Sequence, residues 1–150
     1  MKIRIDADAF PDIQKVLELA KQEQIEVILY CDNTHHLDVS YGKVIVCDKG
    51  FQSVDMKLMN QIEPFDIVLT QDYGVATVAL SKQAAILHPK GMIYTNENID
   101  TILFERHLHA KLRKHSHVKG PKKRTVEDQK RLLENLYQLI QKGKQASKEI

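Results

Sequence analysis

The sequence predicts an α/β fold, a mostly parallel sheet of about five strands with helices on both faces, followed by a C-terminal helical extension. Short apolar segments alternate with stretches that have helical periodicity. The apolar segments are continuous, which is typical of strands buried on both faces. The connections between them are short, and 150 residues suffice for one buried core.

Five strands and three helices are expected in the first ninety residues. The strands fall at residues 3–7, 27–31, 43–47, 66–70 and 85–87. Pro11 suits the first turn of a helix because no backbone N–H is needed there. Apolar residues three and four apart mark the three helices, at Ile13, Val16, Leu17 and Ala20, at Phe51, Val54, Leu58 and Ile62, and at Val75, Ala76, Ala79 and Leu80.

The last third of the chain has a different pattern. A helix is predicted from about residue 96 to 115, with Ile99, Ile102, Leu103 and Ala110 on one face. A break follows at residues 118–122. The final helix opens with a capping box in which Asp128 takes the place of the usual Glu or Gln opposite Thr125. Its expected apolar stripe consists of Val126, Leu133, Leu136, Tyr137 and Ile140.

The net charge of +2 hides two opposite parts of the chain. Residues 1–104 hold 9 basic and 15 acidic residues, whereas residues 105–150 hold 13 basic and 5 acidic residues. Such asymmetry is typical of a nearly neutral or acidic domain with a basic segment that binds a polyanionic partner. No apolar run approaches the roughly 20 residues of a membrane span. Cys31 and Cys47 lack CxxC spacing, and Asp6 and Asp8 interrupt any secretory signal, so a cytoplasmic protein is expected.

Four aspartates are expected to meet at the carboxyl edge of the sheet, where sites in parallel α/β folds form. Asp6 and Asp8 stand at and just after the end of the first strand, and Asp72 follows the fourth. Asp55 lies early in the second helix. Converging carboxylates repel one another unless a cation such as Mg²⁺ or Mn²⁺ neutralises them. The pattern predicts a metal held by Asp6, Asp8 and Asp72, with the alternative that Asp8 and Asp72 cap helices.

The basic residues crowd around the break before the last helix. Six lie within twelve positions: Arg113, Lys114, Lys119, Lys122, Lys123 and Arg124. They are predicted to hold a nucleic-acid backbone, since Lys and Arg contact phosphates without regard to sequence. The alternative is a solvated basic linker. Arg106 falls on the apolar face of its helix, so it is expected to reach the acidic crevice and hold a carboxylate or a substrate phosphate.

Several short motifs resemble a known family. Residues 5–9, followed by Pro11, resemble the opening D-A-D-A-C-P motif of the YaiI/YqxD family of bacterial proteins, also called UPF0178. Residues 70–76 resemble its second motif, and residues 89–91 with Tyr94 and residues 98–99 its third. Further matches follow in order through the tail, at Arg106-His107, Ala110-Lys111, Arg113, residues 119–122, Thr125 and Glu127-Asp128. The resemblance covers nearly the whole chain.

The resemblance implies a PIN-like fold, which is the fold of metal-dependent nucleases that act mostly on RNA. Carried over by position, the acidic residues of such a nuclease are Asp6, Asp8, Asp55 and Asp72. The chain departs from the family pattern at Phe10, which replaces the motif cysteine. It also has Gln52 where some members carry an additional aspartate. Gln52 reduces the acidic set available for a metal.

Three functions follow as hypotheses. The first is a Mg²⁺- or Mn²⁺-dependent phosphodiesterase acting on RNA or a related nucleic acid, with Asp55 as a fourth ligand or a residue that positions water. The second is a nucleic-acid-binding module without catalysis, and the third an interaction protein whose basic limb meets an acidic protein. Residues 1–115 would form the PIN-like domain. Residues 116–150 would form a basic linker and a C-terminal helix that packs on or near it.

Overall fold

The computed structural model describes residues 1–10, 12–32, 37–47, 53–115 and 123–148 of the chain. In these ranges it has six strands, β1 (Ile3–Asp6), β2 (Val27–Asp32), β3 (Lys43–Cys47), β4 (Ile67–Leu69), β5 (Ala85–Leu87) and β6 (Ile93–Tyr94). Five helices accompany them, α1 (Gln14–Gln22), α2 (Val54–Gln61), α3 (Tyr73–Ser81), α4 (Asn96–His115) and α5 (Val126–Lys148). A single 3-10 turn at Ala7–Ala9 follows β1. The predicted break at residues 118–122 lies outside the described residues.

The strands form one sheet in the order β3-β2-β1-β4-β5-β6. The first five strands are parallel, as the sequence predicts, and β6 runs antiparallel to β5. The prediction of about five strands missed β6 because two residues are too few to show a strand period. Ile93 and Tyr94 join the sheet through a tight turn at Gly91, whose φ of +92° favours glycine.

The strand order creates a crevice at the centre of the sheet. From β1 the chain continues to β2 on one side, whereas β4 occupies the other side. Ile5 of β1 therefore pairs with both Leu29 and Leu69. Because the segments after β1 and β4 leave in different directions, a crevice opens between the carboxyl ends of these two strands. This is the point where the sequence places Asp6, Asp8 and Asp72.

Alternate side chains of each strand build two separate cores. On one face, α1 and α5 cover Ile3, Ile5 and Leu29, and α5 contributes buried Leu132, Leu136 and Ile140. On the other face, α2, α3 and the start of α4 cover Ile28, Tyr30 and Val68. Helices on both faces explain why the strands carry continuous apolar runs. None of the helices in the described ranges is long and apolar enough to cross a membrane.

A buried polar network fastens the amino end of the sheet. Arg4 of β1 is 2% exposed, and its Nε donates to Asp66 Oδ2 at 2.7 Å. Arg4 Nη1 donates to the hydroxyl of Tyr30 at 2.8 Å, and that hydroxyl donates to Gln61 Oε1 at 2.6 Å. Asp66 also accepts the backbone N–H of Glu63 at 2.9 Å. The buried ion pair is thus neutralised and hydrogen-bonded, which burial of two charges requires.

Three expectations about burial were wrong. β3 is an edge strand, with Val46 54% exposed, and is therefore not buried on both faces. In α4, Leu103 and Ala110 are exposed, so the buried face predicted from periodicity holds only near Ile99. In α5, Val126 and Tyr137 are exposed, and the buried stripe consists of Gln129, Leu132, Leu136 and Ile140. Of the adjacent leucines, Leu132 is fully buried and Leu133 is half-buried at the edge of the same core, and docking onto the sheet decides between them.

The capping box at the start of α5 is confirmed. The backbone N–H of Thr125 donates to Asp128 Oδ2 at 2.9 Å, and the backbone N–H of Asp128 donates to Thr125 Oγ1 at 3.1 Å. The same reciprocal pair starts α4, where Thr95 and Asn98 exchange hydrogen bonds of 2.8 and 3.1 Å. Each pair satisfies two backbone donors that have no partner within the helix.

Candidate functional site

Asp6 and Asp8 stand on the β1 side of the crevice. Asp6 is the last residue of β1, and only 8% of its surface is exposed. Asp8 lies in the following 3-10 turn and is exposed. Asp8 Oδ2 accepts the backbone N–H of Asp32 at 3.3 Å, which links the turn to the end of β2. One carboxylate is therefore buried at the strand end and the other lies at the mouth of the crevice.

Asp72 and Asp55 approach from the β4 side. Asp72 is the N-cap of α3, since its Oδ1 accepts the backbone N–H of Val75 at 3.0 Å, so the capping alternative is confirmed for this residue. A Cβ atom on Gly74 would lie 3.1 Å from the same oxygen, so glycine there leaves room for the cap. Asp55 occupies the first turn of α2, and its side chain is in hydrogen-bond contact with that of Asp72. The cap fixes where Asp72 points.

The four carboxylates act on one another electrostatically. Burial raises the pKa of Asp6 to about 7, and the nearby charges of Asp55, Asp8 and Asp72 add to this effect. Burial also raises the pKa of Asp55, and the nearby charge of Asp72 and a hydrogen bond with Asp72 raise it further. The structure thus brings together the four aspartates that the sequence singles out. The outcome is a group of acids for which the fully ionised state is unfavourable.

The donor set fits a hard divalent cation in its chemistry. Carboxylate oxygens are the ligands that Mg²⁺ and Mn²⁺ prefer, and a cation would favour the ionised form of each acid. Within the described ranges, however, no three acidic, histidine or cysteine side chains are arranged so that they could hold an ion as they stand. Charge repulsion acts over several ångströms, whereas ligation needs oxygens at 2.0–2.6 Å from one point. The aspartates must therefore turn inward to share an ion.

Arg106 reaches the rim of the crevice but is held by an aromatic ring. Its guanidinium lies over the ring of Tyr73, 4.1 Å from the centroid, and its side chain is exposed. Tyr73 directly follows Asp72. No carboxylate within the described ranges forms an ion pair with Arg106, so the expected carboxylate contact is replaced by a cation–π contact. The sequence could not show this because the two residues are 33 positions apart.

Two tyrosines and a histidine line the flank of the site next to Asp72. The ring of Tyr94 packs edge-on against Tyr73 and His88, with centroids 5.6 and 6.0 Å away. Burial, and then the neighbouring Tyr73, raises the pKa of Tyr94, so its hydroxyl keeps its proton. Burial, together with the charges of Lys90 and Arg106, lowers the pKa of His88 to about 4. His88 is therefore neutral near neutral pH, and its Nδ1 accepts the backbone N–H of Lys90 at 3.0 Å.

The sequence is similar to known proteins along nearly its whole length. Residues 4–142 match the uncharacterised YaiI/YqxD family. The chain belongs to this family. A UPF0178 protein of Clostridium kluyveri is 49% identical over 145 residues, which is 96% of this chain and 95% of the relative. UPF0178 proteins of Clostridium novyi and Clostridium tetani are 49% and 47% identical and span 98% and 96% of this chain and 99% of each relative. No solved structure matches the chain.

In this YaiI/YqxD-family protein, the six basic residues predicted to surround the break before the last helix fall into three groups. Arg113, near the end of α4, and Lys123, before α5, are exposed. Arg124 is half-buried, and its Nε donates to the carbonyl of Pro89 at 2.8 Å, so it helps to dock the segment before α5. Lys114 belongs to α4, but its side chain is outside the described part of the chain. Lys119 and Lys122 lie outside the described residues altogether.

Proposed function

We propose that this protein is a Mg²⁺- or Mn²⁺-dependent phosphodiesterase that acts on RNA or a related nucleic acid. The proposal depends mainly on one observation, the presence of Asp6, Asp8, Asp55 and Asp72 together at the crevice between β1 and β4. The raised pKa of Asp6 supports it, since buried acids under mutual repulsion suit a site that gains a cation. The buried cysteines Cys31 and Cys47, which lack CxxC spacing, fit the further proposal that the protein works in the cytoplasm.

The side chains have distinct roles in this proposal. Asp6, Asp8 and Asp72 bind the ion, and Asp55 is a fourth ligand or positions water by accepting its hydrogen bond. The bound cation supplies an activated water and stabilises the charge that develops on the displaced oxygen. The cap of α3 holds Asp72 in place while the other acids turn inward. Arg106, fixed on Tyr73 beside Asp72, holds a phosphate at the rim.

The remaining basic residues extend this contact along the nucleic acid. Arg113, Lys114, Lys119, Lys122, Lys123 and Arg124 attract the sugar-phosphate backbone without reading its sequence. Residues 105–136 contain no Phe, Tyr or Trp, so strong stacking of unpaired bases on this segment is not expected. The proposal therefore assigns a nucleic-acid substrate that is selected by charge and shape.

The metal and the chemistry are tested separately. Mn²⁺ should raise the melting temperature of the wild type, and Asp8→Asn should abolish this response. Asp38→Asn, which removes an exposed acid outside the site, should keep it. Single-stranded RNA incubated with Mn²⁺ should be cut by the wild type and by Asp38→Asn, and at least about 100-fold more slowly by Asp6→Asn. Equal cleavage by the wild type and Asp6→Asn would come from a contaminant and would reject the nuclease.

A second candidate function is nucleic-acid binding without catalysis. It is favoured by the orientation of the acids, since no three of them are arranged to share an ion among the described residues. Gln52, in place of a further aspartate, points the same way. This function predicts RNA binding that is unchanged by chelators and by Asp8→Asn, with no metal-dependent rise in melting temperature.

A further inference from the structure

The second half of α4 carries apolar residues into solvent. The helix packs against α3, yet every side chain described from residue 103 to 113 is exposed. Four of them are large and apolar: Leu103, Phe104, Leu108 and Leu112, with exposures of 39%, 65%, 45% and 44%. Apolar residues grouped in this way on a surface typically mark an interaction site.

Three of these residues form one stripe along the outer face of the helix. Phe104, Leu108 and Leu112 are four residues apart, which places them above one another on one side of an α-helix. Ile99, buried in the core, and Arg106, stacked on Tyr73, mark the opposite side, which faces the body of the protein. The stripe therefore faces away from the sheet and from the acidic crevice.

The charges of α4 divide sharply at its middle. Residues 96–105 contain three acids, Glu97, Asp100 and Glu105, and no Lys or Arg. Residues 106–115 contain four bases, Arg106, Lys111, Arg113 and Lys114, and no acid. In an antiparallel copy the acidic half of one helix approaches the basic half of the other, and Glu105 and Lys111, which flank the apolar stripe, are the opposite charges that meet beside it. A parallel copy would place like charges side by side.

We propose that two copies of this protein associate through antiparallel α4 helices, with Leu108 on the two-fold axis. Phe104 of each copy then packs against Leu112 of the other, because both lie four residues from Leu108. The same register brings Glu105 level with Lys111 of the second copy. A C2 interface is self-complementary in this way, since one patch meets itself.

A second copy explains the surface better than a nucleic acid does. RNA would engage only the basic half of the helix and would leave Phe104, the most exposed apolar residue of the stripe, in water. The dimer covers the stripe and leaves Arg106 and Tyr73 accessible on the other side of α4. Eleven residues of helix extend only about 16 Å, so the interface is smaller than that of a tight dimer and association is expected at micromolar concentrations.

The oligomeric state of the full chain tests this proposal. Sedimentation equilibrium from about 1 µM to about 200 µM should show the mass rising from 17.3 kDa towards twice that value. Leu108→Glu should weaken association at least about tenfold, since it places two like charges on the axis. Val126→Glu adds the same charge at a residue of α5 that is 83% exposed and should leave association unchanged. Circular dichroism confirms that each variant is folded.

Cysteine cross-linking tests the direction of the helices. Under mild oxidation Leu108→Cys should form a disulfide-linked dimer, because the two substituted residues meet at the axis. Phe104→Cys alone should not, whereas a mixture of Phe104→Cys and Leu112→Cys should. Cys31 and Cys47 are buried and leave this readout clear. A wild type that is a monomer at every concentration, or efficient self-linking of Phe104→Cys, would overturn the proposal. If the wild type is a monomer and the uncharged variant Leu108→Ala loses RNA binding, the stripe belongs to nucleic acid instead.

Discussion

At the scale of single residues, the most informative group is the carboxyl of Asp6. A buried acid at the end of a central strand, beside three other acids, lowers the stability of the fold that contains it. Such a residue is hard to explain by packing, because an amide or apolar side chain would fit with less cost. Acids kept at a stability cost are typical of functional sites.

The stability cost of Asp6 predicts how the metal-free protein responds to pH. The pKa of Asp6 is raised from 3.8 to about 7, so between these values the unfolded chain releases a proton that the folded protein keeps. Stability therefore falls as pH rises through this window and stays low above it. Asp6→Asn removes the charge, so with a chelator at about pH 8 it should be more stable than the wild type by roughly 2 kcal/mol.

Urea unfolding of both proteins, with chelator, measures this difference. At about pH 3, below both pKa values of Asp6, this carboxyl is largely protonated in both states and the gain should nearly vanish. Asp38→Asn, at an exposed position, should show little change at either pH. A wild type that is more stable than Asp6→Asn at about pH 8 would show that the four acids do not repel one another as described.

At the scale of elements, α5 is held to the sheet by specific contacts as well as by its apolar stripe. Leu132, Leu136 and Ile140 are fully buried against the face that α1 also covers. Asn135 Nδ2 donates to the carbonyl of Gly91 at 2.5 Å, and so ties the helix to the turn between β5 and β6. The turn and the helix therefore depend on each other for their positions.

Gly91→Ala should detach this turn from α5. A Cβ atom on Gly91 would lie 2.7 Å from Arg131 Cγ and 2.8 Å from the backbone nitrogen of Leu132, and the φ of +92° adds strain. We expect a loss of about 2 kcal/mol or more in the free energy of unfolding. Urea denaturation measures it. Gly143→Ala is the matched control, because a Cβ atom there meets only the flexible end of Met1 and alanine favours the helix, so no comparable loss is expected.

At the scale of the whole molecule, the acidic and basic parts of the chain occupy different elements. The acids gather where β1 and β4 end, and the described basic residues of the tail follow on α4 and the start of α5. Arg106 lies between the two groups, stacked on the residue that follows Asp72. Under the proposed function, the nucleic acid would approach the crevice along these basic residues.

Binding to single-stranded RNA should depend strongly on salt. With a chelator present to prevent cleavage, affinity should fall roughly 10- to 100-fold between about 50 mM and about 200 mM KCl. Replacing Arg113 and Lys123 with Gln should make the salt dependence shallower by a slope of about 1.4, or 0.7 for each lost phosphate contact. Replacing Lys15 and Lys21, exposed residues of α1 outside the basic segment of residues 106–124, should leave it unchanged. Fluorescence anisotropy measures all three proteins, and a salt-independent affinity would contradict the proposed role of the tail.

The sequence by itself predicted the five helices and five of the six strands in their order, and it singled out the four aspartates near the carboxyl ends of β1 and β4. These features are local, since strand and helix periods and caps such as Thr125 with Asp128 are set by residues near one another in the chain. Only the tertiary structure decided that β1 and β4 are neighbours, that β6 joins the sheet, that Arg106 stacks on Tyr73, and that Leu132 is buried more deeply than Leu133. Each of these depends on contacts between distant parts of the chain, and the energies that select them come from packing rather than from local periodicity.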